Sequence, residues 1–203
     1  MPNTTELPLS ICYRCPKSVI REAQQFVPEI EASEFAEEGI VETVHDLKKA
    51  QSGDMILSRV TAELVKCCTK YIREGIPAYV KGKDIGTNLK SLIKRSKKSE
   101  IADLFEFLNN ELYKIGIATS KKMNISFEEA TDTPRYIALQ DKIQTLGVIA
   151  YDCANTKEMN DKIDNLFKDS DKGICFSTIH KSKGLEADNV FIIALNKWPL
   201  LLS

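Results

Sequence analysis

Short apolar runs alternate with segments of helical pattern along this chain, and that order leaves few folds open. Strands connected through helices pair in parallel, because a parallel neighbour requires a long crossover connection. Such crossovers are right-handed in nearly all proteins. The sequence therefore predicts an α/β fold with a mainly parallel sheet. Its strands are expected at 7–13, 55–60, 78–80, 173–176 and 189–194.

Residues 87–171 lose the strand pattern and become richer in lysine. Leu104, Leu108 and Leu112 recur at helical spacing, and Asn155 with Glu158 has the pattern of a capping box. We therefore expect an all-helical insertion that interrupts a single sheet.

Two local predictions concern the connections. Thr61 is expected to be the N-cap of a helix that Gly75 ends. The acidic stretch 29–38 is expected to be a solvated connection, followed by a short strand at 39–41.

The charge balance excludes binding to nucleic acid through an overall basic field. The 203 residues include 28 Lys and Arg against 29 Asp and Glu, so such binding has to come from local patches. No apolar run approaches the roughly 20 residues that span a membrane, and residues 1–10 lack the pattern of a signal peptide. We expect a cytoplasmic protein without membrane contact.

Six cysteines are present, and in a reducing compartment they are expected to be small buried residues. Cys12 and Cys15 have the spacing of half a zinc site, which Cys67 and Cys68 would have to complete. Adjacent cysteines lack the usual ligand spacing, so no metal site is predicted.

The chemically richest stretch is STIHKSKGLE, residues 177–186, between two apolar runs that are expected to be buried strands. The loop at the carboxyl end of a strand is where α/β sheets bind ligands. Gly184 permits close approach of a backbone, and Glu186 can accept a hydrogen bond from a ribose hydroxyl or hold a water. A solvated surface loop is the alternative. Donors suited to phosphate oxygens are Thr178, His180, Lys181 and Lys183.

This stretch resembles the motif T-x-H-x-x-K-G-L-E of UvrD/Rep-type superfamily 1 DNA helicases. Two further segments resemble motifs of that family in the same order. ICYRCPKSVI, residues 11–20, is similar to N-Y-R-S-x-x-x-I, with Cys12 and Cys15 in place of Asn and Ser. ILSR at 56–59, followed by a helix and GIP at 75–77, is similar to L-x-R-T-N, helix, G-I-P, although Val60 and Thr61 depart from Thr-Asn.

The resemblance implies a RecA-like sheet flanked by helices, namely the second of the two RecA-like domains that hold ATP between them. It implies one discontinuous domain of residues 1–86 and 172–203, with 87–171 as the helical insertion. Arg14 matches the arginine that reaches the γ-phosphate, and Tyr13 matches the tyrosine that stacks on adenine. Gly184 and Glu186 match positions near the nucleotide sugar and phosphates.

The resemblance also implies a single-stranded DNA track. Arg59, Thr178 and His180 match positions that contact the DNA backbone, and Lys183 is able to serve DNA or nucleotide. A second basic cluster is either a nucleic-acid contact or, as is usual for such runs, a solvated helix face. It comprises Lys90, Lys94, Arg95, Lys97 and Lys98.

The sequence has no G-x-x-x-x-G-K-[ST] phosphate loop, and GIPAYVKGK at 75–83 has the wrong glycine spacing for one. ATP with Mg²⁺ is therefore expected to be bound mainly by an N-terminal RecA-like domain of the same parent protein, and this chain is expected to be a fragment. Two alternatives remain: a non-catalytic nucleic-acid-binding or regulatory module, and an unrelated α/β nucleotide-binding protein.

Overall fold

The computed structural model describes residues 10–44, 47, 50–168, 170 and 172–194. The chain divides into two compact units, Met1–Leu47 and Lys48–Ser203. The first three residues of the strand predicted at 7–13 lie outside the described residues. So does His45, which matches none of the motifs and is predicted to be a surface residue.

The first unit contains a small parallel strand–helix–strand arrangement. Strand β1, Ile11–Cys12, leads into helix α1, Lys17–Ala23, and the chain returns as strand β2, Glu31–Ala32. The two strands pair in parallel, with Ile11 opposite Glu31 and Cys12 opposite Ala32. The acidic stretch 29–38 thus contains a strand that the sequence did not indicate, and the strand predicted at 39–41 is absent from that described segment.

The second unit contains a four-stranded sheet in the order β4-β5-β3-β6, and every neighbouring pair is parallel. The predicted parallel α/β fold is confirmed. Both flanks of the helical stretch contribute strands to this sheet, as expected. The strands are β3 Met55–Ser58, β4 Ala78–Val80, β5 Ile174–Thr178 and β6 Val190–Ile192.

Helices fill the rest of the second unit, and the predicted helical character of 87–171 is confirmed. Leu104 and Leu108 are completely buried, as their spacing predicted. Asn155 caps the last helix by accepting hydrogen bonds from two backbone N–H groups of its first turn. The helices are α2 Thr61–Arg73, α3 Lys83–Ser96, α4 Ile101–Met123, α5 Phe127–Thr131, α6 Pro134–Ala150 and α7 Thr156–Leu166.

The core lies where the central strands meet α2. Ile56 of β3 and Phe176 of β5 are 0% exposed, and the Tyr71 ring of α2 meets the Phe176 ring edge to face at 5.8 Å. Central strands of a parallel sheet are covered on both faces, which explains their continuous apolar sequence. Strand β6 is an edge strand, and Val190 and Ile192 are about half exposed. The run 189–194 contains a strand, as predicted, but the expectation that this strand is buried is wrong.

Strand β1 does not belong to the sheet that contains β5. The expectation of one sheet that includes the strand before Arg14 and the strand before Thr178 is therefore wrong. A two-residue strand whose Ile11 is 48% exposed lacks the length and the apolar faces of a buried parallel strand. The apolar run at 7–13 indicated a strand correctly but not the sheet that it joins.

Among the described residues, no helix has the length and apolar character needed to cross a membrane.

Candidate functional site

The carboxyl ends of β3 and β5 lie side by side and bring together three residues predicted to contact DNA. Ser58 at the end of β3 is opposite Thr178 at the end of β5, and the Ile179 N–H donates to the Ser58 carbonyl oxygen at 3.2 Å. Arg59 directly follows Ser58, and His180 follows Thr178 after one intervening residue, Ile179. Both are exposed, whereas Thr178 is half-buried. We call this place, formed by Arg59, Thr178 and His180, the carboxyl edge.

The loop after β5 folds on itself through its own backbone. The N–H groups of Lys181 and Ser182 both donate to the Thr178 carbonyl oxygen at 2.9 Å, and the Leu185 N–H donates to the Ser182 carbonyl oxygen at 2.9 Å. Three backbone donors are therefore already used within the loop. These three N–H groups are not available to a phosphate.

The backbone conformation at position 184 favours glycine. Its φ is +84°, a conformation that residues with a Cβ rarely adopt, and a Cβ built there would meet nothing within 4 Å. The expectation that this glycine allows close approach of a backbone is not needed to explain it. The turn conformation alone is sufficient. Glu186 lies two residues further on and is exposed.

Lys181 forms an ion pair that the sequence did not indicate. Its Nζ lies 2.8 Å from an Asp84 carboxylate oxygen, and Asp84 is in the first turn of α3. This ion pair holds the pKa of the Asp84 carboxyl below its ordinary value. The pairing arises because β4 neighbours β5, so the loop after each strand reaches the same edge. Lys181 thus has a partner within the protein, whereas Lys183 is an exposed cation of the same loop.

The start of α2, directly after Arg59, receives its cap from another helix. The N-cap position is Val60, which has no side chain able to accept a hydrogen bond, so the prediction of Thr61 as N-cap is wrong. Asp141 of α6 accepts from the N–H groups of Thr61 and Ala62, each at 3.2 Å. A carboxylate therefore already occupies this helix N-terminus, where an anion would otherwise be favoured.

Tyr13 and Arg14 lie in the turn between β1 and α1 of the first unit. Tyr13 is 79% exposed, as an aromatic side chain that stacks on a base would need to be. Arg14 is also exposed. The two cysteines that flank them are half-buried, contrary to the expectation that the cysteines are buried. The residues predicted to face a nucleotide therefore divide between the units, with Gly184 and Glu186 in the second. Their convergence on one nucleotide stays a prediction.

The basic cluster on α3 and the loop after it is largely paired with carboxylates. Arg95 lies 3.5 Å from Glu111, and Lys98 lies 3.9 Å from Asp103. Lys90 forms a further ion pair with a carboxylate of α7. Because these cations pair with carboxylates of the protein itself, we interpret the cluster as a solvated helix face rather than as a nucleic-acid contact.

In the part of the chain that the structure describes, no three His, Cys, Asp or Glu side chains lie close enough together to hold a metal ion. The carboxyl edge contains Arg59, Thr178 and His180, and two carboxylates of its neighbourhood already have partners, Asp84 with Lys181 and Asp141 with the backbone at the start of α2. These donors suit the oxygens of an anion rather than a cation.

Comparisons of the chain with protein families, with curated proteins and with solved structures found no match. The carboxyl edge and the sequence motifs are therefore the basis for a functional proposal.

Proposed function

We propose that this chain is part of an ATP-dependent DNA helicase of the UvrD/Rep type, and that its second unit is a RecA-like domain whose carboxyl edge contacts single-stranded DNA. The register that places Ser58 opposite Thr178 is the observation that carries the proposal. It brings together the ends of two strands that carry two separate family-like motifs, at 56–59 and 177–186, far apart in sequence. The fully parallel sheet is compatible with such a domain.

The chemistry of the carboxyl edge suits a DNA backbone. The Arg59 guanidinium, the His180 imidazole and the Thr178 hydroxyl all donate hydrogen bonds, and phosphate oxygens accept them. Such contacts read no bases, so a motor can form them at every step along a strand. Because Asp141 occupies the N-terminus of α2, phosphate binding at this edge depends on side chains rather than on that helix terminus.

The nucleotide part of the proposal assigns Arg14 to the transferred phosphoryl group. A guanidinium there stabilises charge that develops in the transition state. Tyr13 supplies an exposed aromatic face for adenine, and Glu186 supplies an acceptor for a ribose hydroxyl. The phosphate loop and the Mg²⁺ ligands would come from another domain, because this sequence contains no phosphate loop.

Fluorescence anisotropy with a labelled oligothymidylate, titrated over a series of salt concentrations, tests the DNA part. We expect Arg59→Ala to weaken binding and to reduce the slope of log affinity against log salt by about 1, the change for one lost phosphate contact. Lys66→Ala is the matched control, since Lys66 is an exposed cation elsewhere on α2. An Arg59→Ala variant with the affinity and salt slope of the control would contradict the proposal.

Phosphate release tests the nucleotide part. We expect no ATP hydrolysis by this chain alone, with or without single-stranded DNA. Hydrolysis that is stimulated by DNA and unchanged by Arg14→Ala would refute the proposed division of labour. A parent reading frame without a phosphate loop would favour the non-catalytic module.

A further inference from the structure

Lys181 lies beside the carboxyl edge and is fixed there by its backbone. It directly follows His180, and its N–H donates to the Thr178 carbonyl oxygen at 2.9 Å. Its side chain therefore starts within one tight turn of two residues that we assign to the DNA backbone. An ammonium group at such a place has the donors to bind a phosphate oxygen.

A carboxylate of the protein itself binds this ammonium group. The Lys181 Nζ lies 2.8 Å from an Asp84 carboxylate oxygen. The hydrogen bond from Lys181 holds the pKa of the Asp84 carboxyl below its ordinary value, so the carboxylate is charged at neutral pH. Carboxylate and phosphate oxygens are acceptors of the same kind for a lysine. Asp84 therefore occupies the donors that Lys181 would offer to a phosphate.

Backbone pairing, rather than the ion pair, sets the position of Asp84. Strand β4 pairs in parallel with β5, and the Lys81 N–H continues this pairing by donating to the Phe176 carbonyl oxygen at 2.8 Å. Helix α3 begins at Lys83, so Asp84 lies close in sequence to that hydrogen bond. A change of the Asp84 side chain should therefore remove the ion pair and leave the neighbouring loop in place.

The ion pair is open to water and to competing ions. The Lys181 side chain is 45% exposed and the Asp84 side chain is 57% exposed. Ion pairs at such positions contribute little to stability and are screened by salt. Separating Lys181 from Asp84 therefore costs little free energy, and a phosphate that approaches the carboxyl edge is able to take the lysine.

We propose that Asp84 competes with the phosphates of single-stranded DNA for Lys181, and that this competition lowers the affinity of the carboxyl edge for DNA. Without DNA, Lys181 binds Asp84. When a strand binds, Lys181 exchanges the carboxylate for a phosphate oxygen. The ion pair of 2.8 Å, beside His180 and Thr178, carries the proposal. It rests on the proposed function, because the competing phosphates are those of the DNA that the carboxyl edge binds.

The competition has a consequence for a motor. A protein that moves along a strand has to release each phosphate as well as bind it. When a phosphate leaves Lys181, Asp84 takes its place, so the lysine keeps a partner and release costs less free energy. A purely structural ion pair would behave differently, because Lys181 would stay on Asp84 with and without DNA.

Fluorescence anisotropy with a labelled oligothymidylate, over a series of salt concentrations, tests the competition. We expect Asp84→Asn to bind more tightly by up to about 5-fold, which corresponds to the roughly 1 kcal/mol at the upper end of the range for an exposed ion pair. The slope of log affinity against log salt should steepen by about 1, the change for one additional phosphate contact. Asp188→Asn is the matched control, since it removes the same charge from an exposed aspartate just before β6, at the amino edge of the parallel sheet.

The double variant of Asp84→Asn with Lys181→Ala separates competition for the lysine from a general effect of charge. We expect it to bind DNA with the affinity and salt slope of Lys181→Ala alone. Two results would overturn the proposal: an Asp84→Asn variant that binds no more tightly than Asp188→Asn, or a gain in affinity that persists in the double variant. Failure of the proposed function has a different signature, because Arg59→Ala would then match Lys66→Ala whatever the affinity of Asp84→Asn.

Discussion

Asp141 is expected to be a major stability determinant of the second unit, although it lies in the helical insertion. Its carboxylate accepts from the N–H groups of Thr61 and Ala62, 80 and 79 residues away in sequence. The N-cap residue Val60 offers no side-chain acceptor. Replacing Asp141 with alanine would therefore leave two backbone donors at the start of α2 without their acceptor.

The expected loss in the free energy of unfolding of Asp141→Ala follows from the two hydrogen bonds and from the charge of the carboxylate. Removing an N-cap acceptor costs about 0.5–2 kcal/mol, and hydrogen bonds to charged groups contribute about 1.5–3 kcal/mol. Water can reach the freed N–H groups, because Asp141 is only half-buried. We therefore expect Asp141→Ala to lower the free energy of unfolding by about 1–3 kcal/mol. Asp141→Asn should cost less, since an amide oxygen retains one acceptor.

Urea denaturation followed by far-ultraviolet circular dichroism measures this difference. Asp161→Ala is the matched control, because Asp161 is an exposed aspartate on α7, and ordinary surface substitutions change stability by less than about 0.5 kcal/mol. If the free energy of unfolding of Asp141→Ala lies within about 0.5 kcal/mol of the control, the cap is not a significant interaction.

Two further predictions concern the neighbourhood of the carboxyl edge. Lys181→Ala should raise the pKa of Asp84 towards its ordinary value of 3.8 in a carboxyl NMR titration, whereas Lys183→Ala should not. Because the pKa of Asp84 is lower in the folded state than in the unfolded state, the ion pair stabilises the fold at pH values above the unfolded-state pKa. This stabilisation is lost as the pH falls through the folded-state pKa. An unchanged Asp84 titration in Lys181→Ala would contradict the pairing. Gly173→Ala should weaken pairing of β4 with β5 and lower the thermal midpoint, because φ is +107° and a Cβ would meet the carbonyl oxygen before β4 at 2.5 Å. Gly147→Ala, in open space on α6, should not destabilise, and equal midpoints for the two variants would refute this reasoning.

The parallel sheet of the second unit was predictable because its central strands are short, continuous apolar runs with helices between them. The helix at 101–123 was predictable from the helical spacing of Leu104, Leu108 and Leu112. Strand β2 was not, because Glu31–Ala32 is two residues long and acidic at its start. A strand as short as β2 forms because it pairs with β1, and its own sequence does not indicate it.

The residues of the candidate site were predictable from the sequence, but the carboxylates that contact its surroundings were not. Arg59, Thr178 and His180 were expected at strand ends from the motifs, and the register of β3 with β5 puts those ends together. The contacts of Lys181 with Asp84 and of Asp141 with α2 join residues far apart in the chain. Sequence periodicity describes one element at a time, so it does not reveal which distant carboxylate reaches a given helix start or lysine.

Backbone amide NMR with and without a short oligothymidylate tests the central claim most directly. The account predicts that the amide signals that shift belong to residues 59–61 at the start of α2 and 178–184 after β5, and that salt reverses the shifts. Shifts confined to the basic cluster at 90–98, or no shifts at low salt, would contradict the assignment of the carboxyl edge to single-stranded DNA.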